Sequence, residues 1–379
     1  MDKILLGTAI AFIITFAAIP IIIQVANSKQ LFDHPDERKI HSLPIPSLGG
    51  LGIFAGFILA CLFTISFYNA PGFQYFFAAS LVIFFLGLKD DILVISPMKK
   101  FVGQILATFL IIYKGGLLIG SMHGFLGVHE LPEFFSLAFT YLTIILIINS
   151  FNLIDGVDGL AGSLGLMTSL VFGTYFYLIG EVEYATLAFC LSGSLVAFLI
   201  FNHSPAKIFM GDTGSLLIGL INAILVIKFI NVADNPVSPL PLQAAPALGM
   251  AILIVPLFDT LRVFSLRILS RRSPFSPDRN HLHHLMMDHG MSHSAITYTL
   301  VGVNIVFIAT AYACRNMDCT LLITLTILAG SIFTGILFYS SRRHKLRIEE
   351  RRMQLQDPEL TSKILQLKNK PTYIHPEQN

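Results

Sequence analysis

The sequence predicts an all-α, polytopic integral membrane helix bundle of about eleven transmembrane helices, with the N-terminus outside and the C-terminus cytoplasmic. Three observations predict it. Of 379 residues, 54% are hydrophobic and only 13% charged, where a soluble domain carries about 25% charged residues. Eleven apolar stretches recur along the chain, the longest of them reaching the roughly 20 residues that cross a hydrocarbon core. The basic residues lie almost entirely in alternate connections, as the positive-inside rule requires. The composition, with a mean hydropathy of +0.72, excludes disordered, fibrous, nucleic-acid-binding and ordinary cytosolic classes. A net charge of +2 implies no polyanion partner.

Taken in order, the stretches are residues 4–26, 48–67, 75–88, 99–113, 134–148, 160–179, 184–201, 214–230, 246–268, 295–314 and 319–339. The first is longer than the roughly 7–15 apolar residues of a signal peptide, so it reads as a retained span. Lys29, Arg38, Lys39, Lys89, Lys99, Lys100, Lys207, Arg262, Arg267, Arg271, Arg272, Arg279 and nine residues of the tail, 21 of 25 basic residues in all, fall on one side. Lys3, Lys114, Lys228 and Arg315 fall on the other. The first side is therefore the inner one. Outer residues 114–133 can form a small hairpin, and the Pro-rich residues 231–245 an ordered loop. Residues 1–340 read as one transmembrane domain and 341–379 as a charged tail, whose stretch Arg342–Gln356 suits the anionic inner leaflet. Cys61, Cys190, Cys314 and Cys319 have neither metal-ligand spacing nor a disulfide framework.

The inner connections gather Asp, Asn, His and Gly into five blocks: Asp33–His41 with Gly49 and Gly50; Lys89–Asp91; Asn149–Gly159; Phe209–Gly214; and Arg271–His284. Mid-span positions are nearly free of ionisable groups, which argues against a proton relay or a midplane transport site. In the third block Asn149, Asn152, Asp155 and Asp158 recur every three residues, a spacing that puts neighbouring members on one helical face. Helix capping explains one such residue but not four. Asp90 and Asp91 serve either different partners or a polar helix end. Asp212 is either a ligand or the N-cap of the span that follows. Together these carboxylates suit Mg²⁺ or Mn²⁺, which favour hard oxygen donors. Arg271, Arg272 and Arg279 with His281, His283 and His284 make a donor-rich loop for phosphate, and the three histidines leave zinc as an alternative. An acidic site and a basic loop on one face point to phosphoryl transfer onto something the membrane supplies. No Gly-x-x-x-x-Gly-Lys-Ser/Thr loop occurs, which disfavours a P-loop pump.

In this order the blocks resemble the polyprenyl-phosphate N-acetylhexosamine-1-phosphate transferases, over roughly residues 1–340. The resemblance rests on Asp-x-Pro-x-x-Arg-Lys-x-His, Asp-Asp, Asn-x-x-Asp-Gly-x-Asp-Gly-Leu-Ala, Phe-Met-Gly-Asp-x-Gly-Ser and Ser-Pro-Phe-x-x-Asp-Arg-x-His-x-His-His. It implies transfer of a sugar 1-phosphate from a UDP-N-acetylhexosamine to undecaprenyl phosphate, with release of UMP and help from Mg²⁺ or Mn²⁺, at the cytoplasmic face of the inner membrane. By the same resemblance, Asp90 and Asp91 lie where the lipid phosphate is activated. Asp155 and Asp158 help bind metal and nucleotide, Asp212 is a metal ligand, and Asn152 supports either. Asp33, Arg38, Lys39 and His41 belong to substrate binding, and Arg279, His281, His283 and His284 hold the sugar diphosphate. Leu282 interrupts the histidine run, which favours the branch using UDP-N-acetylglucosamine over the one using UDP-N-acetylmuramoyl-pentapeptide. Both remain open, as do other UDP-N-acetylhexosamines, a homodimer, and, in another class, a secondary transporter.

Overall fold

The computed structural model describes residues 1–30, 45–234, 237–271 and 281–356. Asp33, Arg38, Lys39, His41 and Arg279 lie outside the described residues. The chain is mostly helical: α1 (Asp2–Lys29), α2 (Gly49–Thr64), α3 (Phe73–Ile92), α4 (Pro97–Phe109), α5 (Glu133–Ile154), α6 (Leu160–Ile179), α7 (Val182–Asn202), α8 (Gly211–Ala233), α9 (Ala245–Ile252), α10 (Ile254–Leu269), α11 (Leu282–Asp288), α12 (His293–Ala313) and α13 (Cys319–Gln356). A π-helical turn, Leu110–Lys114, extends α4. Helices are the natural answer for such apolar stretches, because in lipid every backbone polar group must be satisfied within the segment.

Seven of these helices are long and apolar enough to cross a membrane: α1, α5, α6, α7, α8, α12 and the first part of α13. The α9–α10 pair makes an eighth if counted as one span. The protein is thus a multi-pass membrane protein. The charged stretch 342–356 continues α13 rather than forming a helix of its own.

Helix α8 is the hub. In its most apolar window 83% of residues are buried, against 22% in α1 and in α13, and it packs on α2, α3, α5 and α6. Small residues bring the outer helices close, as expected where packing rather than water drives association. A Cβ on Gly193 of α7 would sit 2.3 Å from the Thr8 carbonyl of α1.

Two connections depart from a plain helical path. The stretch 246–268 is not one straight helix: it breaks at Leu253 and turns through 86°. Asn304 of α12 closes the break, accepting from Val255 N–H at 3.2 Å and donating to the Ile252 carbonyl at 3.0 Å. Between α4 and α5 the expected hairpin forms from the antiparallel strands β1 (Ser121–Phe125) and β2 (Val128–Glu130).

Candidate active site

The site begins where α3 runs past its apolar stretch into Asp90 and Asp91. Asp91 meets the start of α8: one carboxylate oxygen accepts the N–H of Asp212 at 2.7 Å, and the other accepts the N–H and Oγ1 of Thr213 at 3.0 and 2.5 Å. Free N–H groups at a helix start carry partial positive charge, so a carboxylate there satisfies orphan donors and opposes the helix dipole. The turn into α8 requires Gly211, which has φ +72° and whose Cβ would fall 2.2 Å from the Ser47 carbonyl. Burial pushes the Asp91 carboxyl up to about 6, even though the Thr213 and Asp212 donors pull the other way.

Asp90 turns to the opposite partner. Its Oδ2 lies 2.6 Å from Lys100 Nζ of α4, and its Oδ1 accepts the Ile95 N–H at 2.8 Å. The same Lys100 ammonium pairs with Asp212, whose other oxygen accepts from Asn152 Nδ2 at 2.9 Å. Burial alone would raise the Asp90 carboxyl, but hydrogen bonds with Asp212, Lys100 and Ile95 outweigh it and hold it below its ordinary range. Lys100 is therefore a cation clasped between two carboxylates from different helices. A reciprocal amide pair one turn further along α4 sets its register: Asn149 Nδ2 donates to Gln104 Oε1 at 2.8 Å, and Gln104 Nε2 returns at 3.3 Å.

The third block differs from the sequence expectation. Its three-residue register holds only for Asn149 and Asn152, because α5 ends at Ile154. Asp155 is the C-cap, and Asp158 lies in the turn before α6, where Gly159 has φ +76°. Asp155 still faces the cluster. Burial, then the charges of Asp212, Asp91 and Asp158, push its carboxyl up to about 8. Asp158 is buried. It accepts Ala206 N–H at 3.3 Å, lies 3.2 Å from His293 Nδ1, and its carbonyl takes the Thr297 hydroxyl of α12 at 2.9 Å. The structure thus gives Asp158 the task of tying the α5–α6 turn to its neighbours.

The histidine block closes the site from another side. His281 and His283 are buried and their rings stack at 5.8 Å. A Cβ on Gly156 would sit 2.5 Å from His283 Nε2, so this glycine makes the room that the histidine ring occupies against the α5–α6 turn. Burial, with His284 next to it, pushes His283 down to about 3 and keeps it neutral. His284 packs its ring 4.3 Å from that of His283. The end of the first block reaches the fourth through its backbone, with Gly49 N–H on the Phe209 carbonyl at 2.9 Å and Phe209 N–H on Pro46 at 2.8 Å.

Three site residues escape sequence reasoning. Lys100 reads as a topological charge because its partners lie in other blocks, although its position just after the Asp-Asp pair is a usable signal. Asp259 sits inside an apolar stretch, where Pro256 is a usable signal for the break that turns it toward His281. His293 reads as a loop residue, and only Asp158 reveals its use.

Carboxylate oxygens such as those of Asp155 and Asp212 are the hard donors that a divalent cation would take. Asp155 is a carboxyl whose charge is opposed by three neighbouring carboxylates, which is the environment a bound cation relieves. Among the described residues no three His, Cys, Asp or Glu side chains close on one point.

Residues 73–230, from α3 to α8, match the glycosyl transferase family 4. A decaprenyl-phosphate N-acetylglucosaminephosphotransferase of Mycobacterium leprae (strain TN) is 33% identical over 77% of this chain and 80% of its own length. The chain belongs to glycosyl transferase family 4. Two further relatives are undecaprenyl-phosphate alpha-N-acetylglucosaminyl 1-phosphate transferases. That of Yersinia pestis is 29% identical over 77% of this chain and 80% of its own length. That of Escherichia coli (strain K12) is 30% identical over 71% and 72%. The family 4 match contains Asp90, Asp91, Lys100, Asn152, Asp155, Asp158 and Asp212, and the histidine block lies beyond it.

Proposed function

We propose that this chain transfers N-acetylglucosamine 1-phosphate from UDP-N-acetylglucosamine to undecaprenyl phosphate, giving undecaprenyl-diphosphate-N-acetylglucosamine and UMP and so starting a cell-envelope polysaccharide. One observation carries the reading: Asp90, Lys100, Asp212 and Asn152, from four helices, form one charged cluster in a chain whose relatives bear these transferase names. Further support comes from the neighbouring histidine block, where phosphate-binding donors are expected.

In the proposed reaction an oxygen of the lipid phosphate attacks the phosphorus that carries the sugar. The bond from that phosphorus to the UMP oxygen breaks, and UMP leaves. Lys100 supplies positive charge where two phosphate groups must approach each other, which is the main need of phosphoryl transfer. Asn152 and Asp91 fix the Asp212 end of α8, and Asp90 holds Lys100 in place. Asp155 and Asp212 would hold Mg²⁺ or Mn²⁺, which when bound neutralises diphosphate charge. His281, His283 and His284 would contact the sugar diphosphate, and Asp33, Arg38, Lys39, His41 and Arg279 complete substrate binding in this reading. We place the protein in the inner membrane with eleven spans, the N-terminus outside and the site facing the cytoplasm, because 21 of 25 basic residues fall on that side.

The test is UMP release by purified protein given undecaprenyl phosphate, Mg²⁺ and a panel of UDP-sugars. Release with UDP-N-acetylglucosamine, abolished by Asp212→Ala, is expected. No UMP from any UDP-N-acetylhexosamine, with folded protein, overturns the proposal.

A further inference from the structure

Among the described residues, Asp259 is the most deeply buried carboxylate that the reaction above does not use, at 1% exposure on α10. A buried charge is costly unless its oxygens are all engaged, and here they are. Oδ2 accepts from His281 Nδ1 at 2.9 Å. Oδ1 accepts the backbone N–H of Leu282 at 2.9 Å and a guanidinium nitrogen of Arg262 at 3.0 Å. The carboxylate therefore grips the histidine and the first turn of α11 together, and Arg262 balances its charge from the same helix.

This contact decides which nitrogen of His281 is available. A carboxylate on Nδ1 requires the proton there, which leaves Nε2 as the atom that meets anything entering the site. From His281 the arrangement runs on through the stacked His283 to Gly156, the chain neighbour of Asp155. Asp259 itself is aimed by the break at Leu253: an uninterrupted helix would carry it elsewhere, and Asn304 holds the break. The groups that surround the histidine pair are Asp259 and Arg262 from α10, His284 from α11, and His293, with its partner Asp158, from α12.

We propose that Asp259 is a positioning residue for the transfer: it holds His281 as its Nδ1–H tautomer and anchors the start of α11, so that the histidines present one fixed set of nitrogens to the sugar diphosphate. The inference rests on the transferase reading for its substrate, but the pairing of Asp259 with His281 stands apart from it.

The test compares Asp259→Asn and Asp259→Glu in the full-length protein in detergent. Asp259→Asn keeps the size and an acceptor but loses the charge that orders the tautomer. It is expected to lower kcat for UMP release by about 10–100-fold, the usual cost of removing a group that orients a functional histidine. KM for UDP-N-acetylglucosamine should stay within about threefold. Asp259→Glu should recover part of kcat. A purely structural residue would lower the folded fraction and leave KM and kcat per folded molecule alone. That result, wild-type kcat in Asp259→Asn, or failure of both variants to fold, overturns the proposal. Nitrogen-15 NMR of labelled histidine separates the two readings: wild type should show a His281 Nδ1–H signal that Asp259→Asn shifts or loses. If wild type releases no UMP, the transferase reading fails while this measurement still decides the pairing.

Discussion

Asp91, the last acidic residue of α3, accepts the backbone N–H of Asp212 at 2.7 Å, so the end of one helix fixes where the next motif begins. Losing a side-chain cap costs about 0.5–2 kcal/mol, and Asn caps about as well as Asp. Asp91→Ala should therefore lower the thermal midpoint in detergent by a few degrees and Asp91→Asn by less. A midpoint for the Ala variant equal to wild type would remove the capping role.

Lys100 stands between Asp90 and Asp212, and without it two carboxylates face each other. Lys100→Met should reduce UMP release on the order of 100-fold, the scale of losing one charge-stabilising group in a transfer reaction. Lys100→Arg should fall between Met and wild type, because a planar guanidinium replaces a point charge. Turnover in Lys100→Met within threefold of wild type would exclude a part in the chemistry.

Asp155 gives a pH dependence with a definite sign. Its carboxyl is raised to about 8 in the folded protein, against about 3.9 in an unfolded chain. The folded state thus binds the proton more tightly, and the stability that comes with it is present below pH 4 and lost as pH rises toward 8. With a chelator present, the thermal midpoint should fall between pH 5 and pH 8. Mg²⁺ should raise the midpoint more at pH 8 than at pH 5, because it binds the ionised form. A larger Mg²⁺ effect at pH 5 would remove Asp155 from the cation site.

Gly156 and Gly211 separate packing from backbone demands. Alanine at 211 meets both a φ of +72° and the Ser47 carbonyl, so Gly211→Ala should fail to give stable protein. Alanine at 156 meets first a side chain, the ring of His283, rather than backbone. Gly156→Ala should fold with a near-normal midpoint and lose activity at least tenfold, as UMP release would report. Full activity in that variant would show that the placement of His283 is immaterial.

The legible parts of this molecule are those that need only one segment to be read. The stretch 214–230 is a helix because nothing else satisfies its backbone, and the pair Asp90 and Asp91 marks the end of α3 by polarity alone. The illegible parts depend on a second segment. The break at Leu253 has a local cause in Pro256, which has no N–H for the Ile252 carbonyl, but the group that takes up that carbonyl is Asn304 on α12. The repeat Asn149, Asn152, Asp155, Asp158 looks helical throughout, yet the chain leaves the helix after Ile154 and sends Asp158 toward His293. Lys100 was visible as a charge, but its meaning came from Asp212, 112 residues away.

The Lys100 clasp also bears on how the protein is made. A nascent chain entering the bilayer cannot wait for a soluble ligand before it packs Asp90 and Asp212 against each other. The lysine travels in the same polypeptide and cancels part of that repulsion from the moment α3, α4 and α8 meet. These two carboxylates thereby need no bound ligand to be held together. Substrate arrives at a finished scaffold, in which an internal counter-ion has only to change partners.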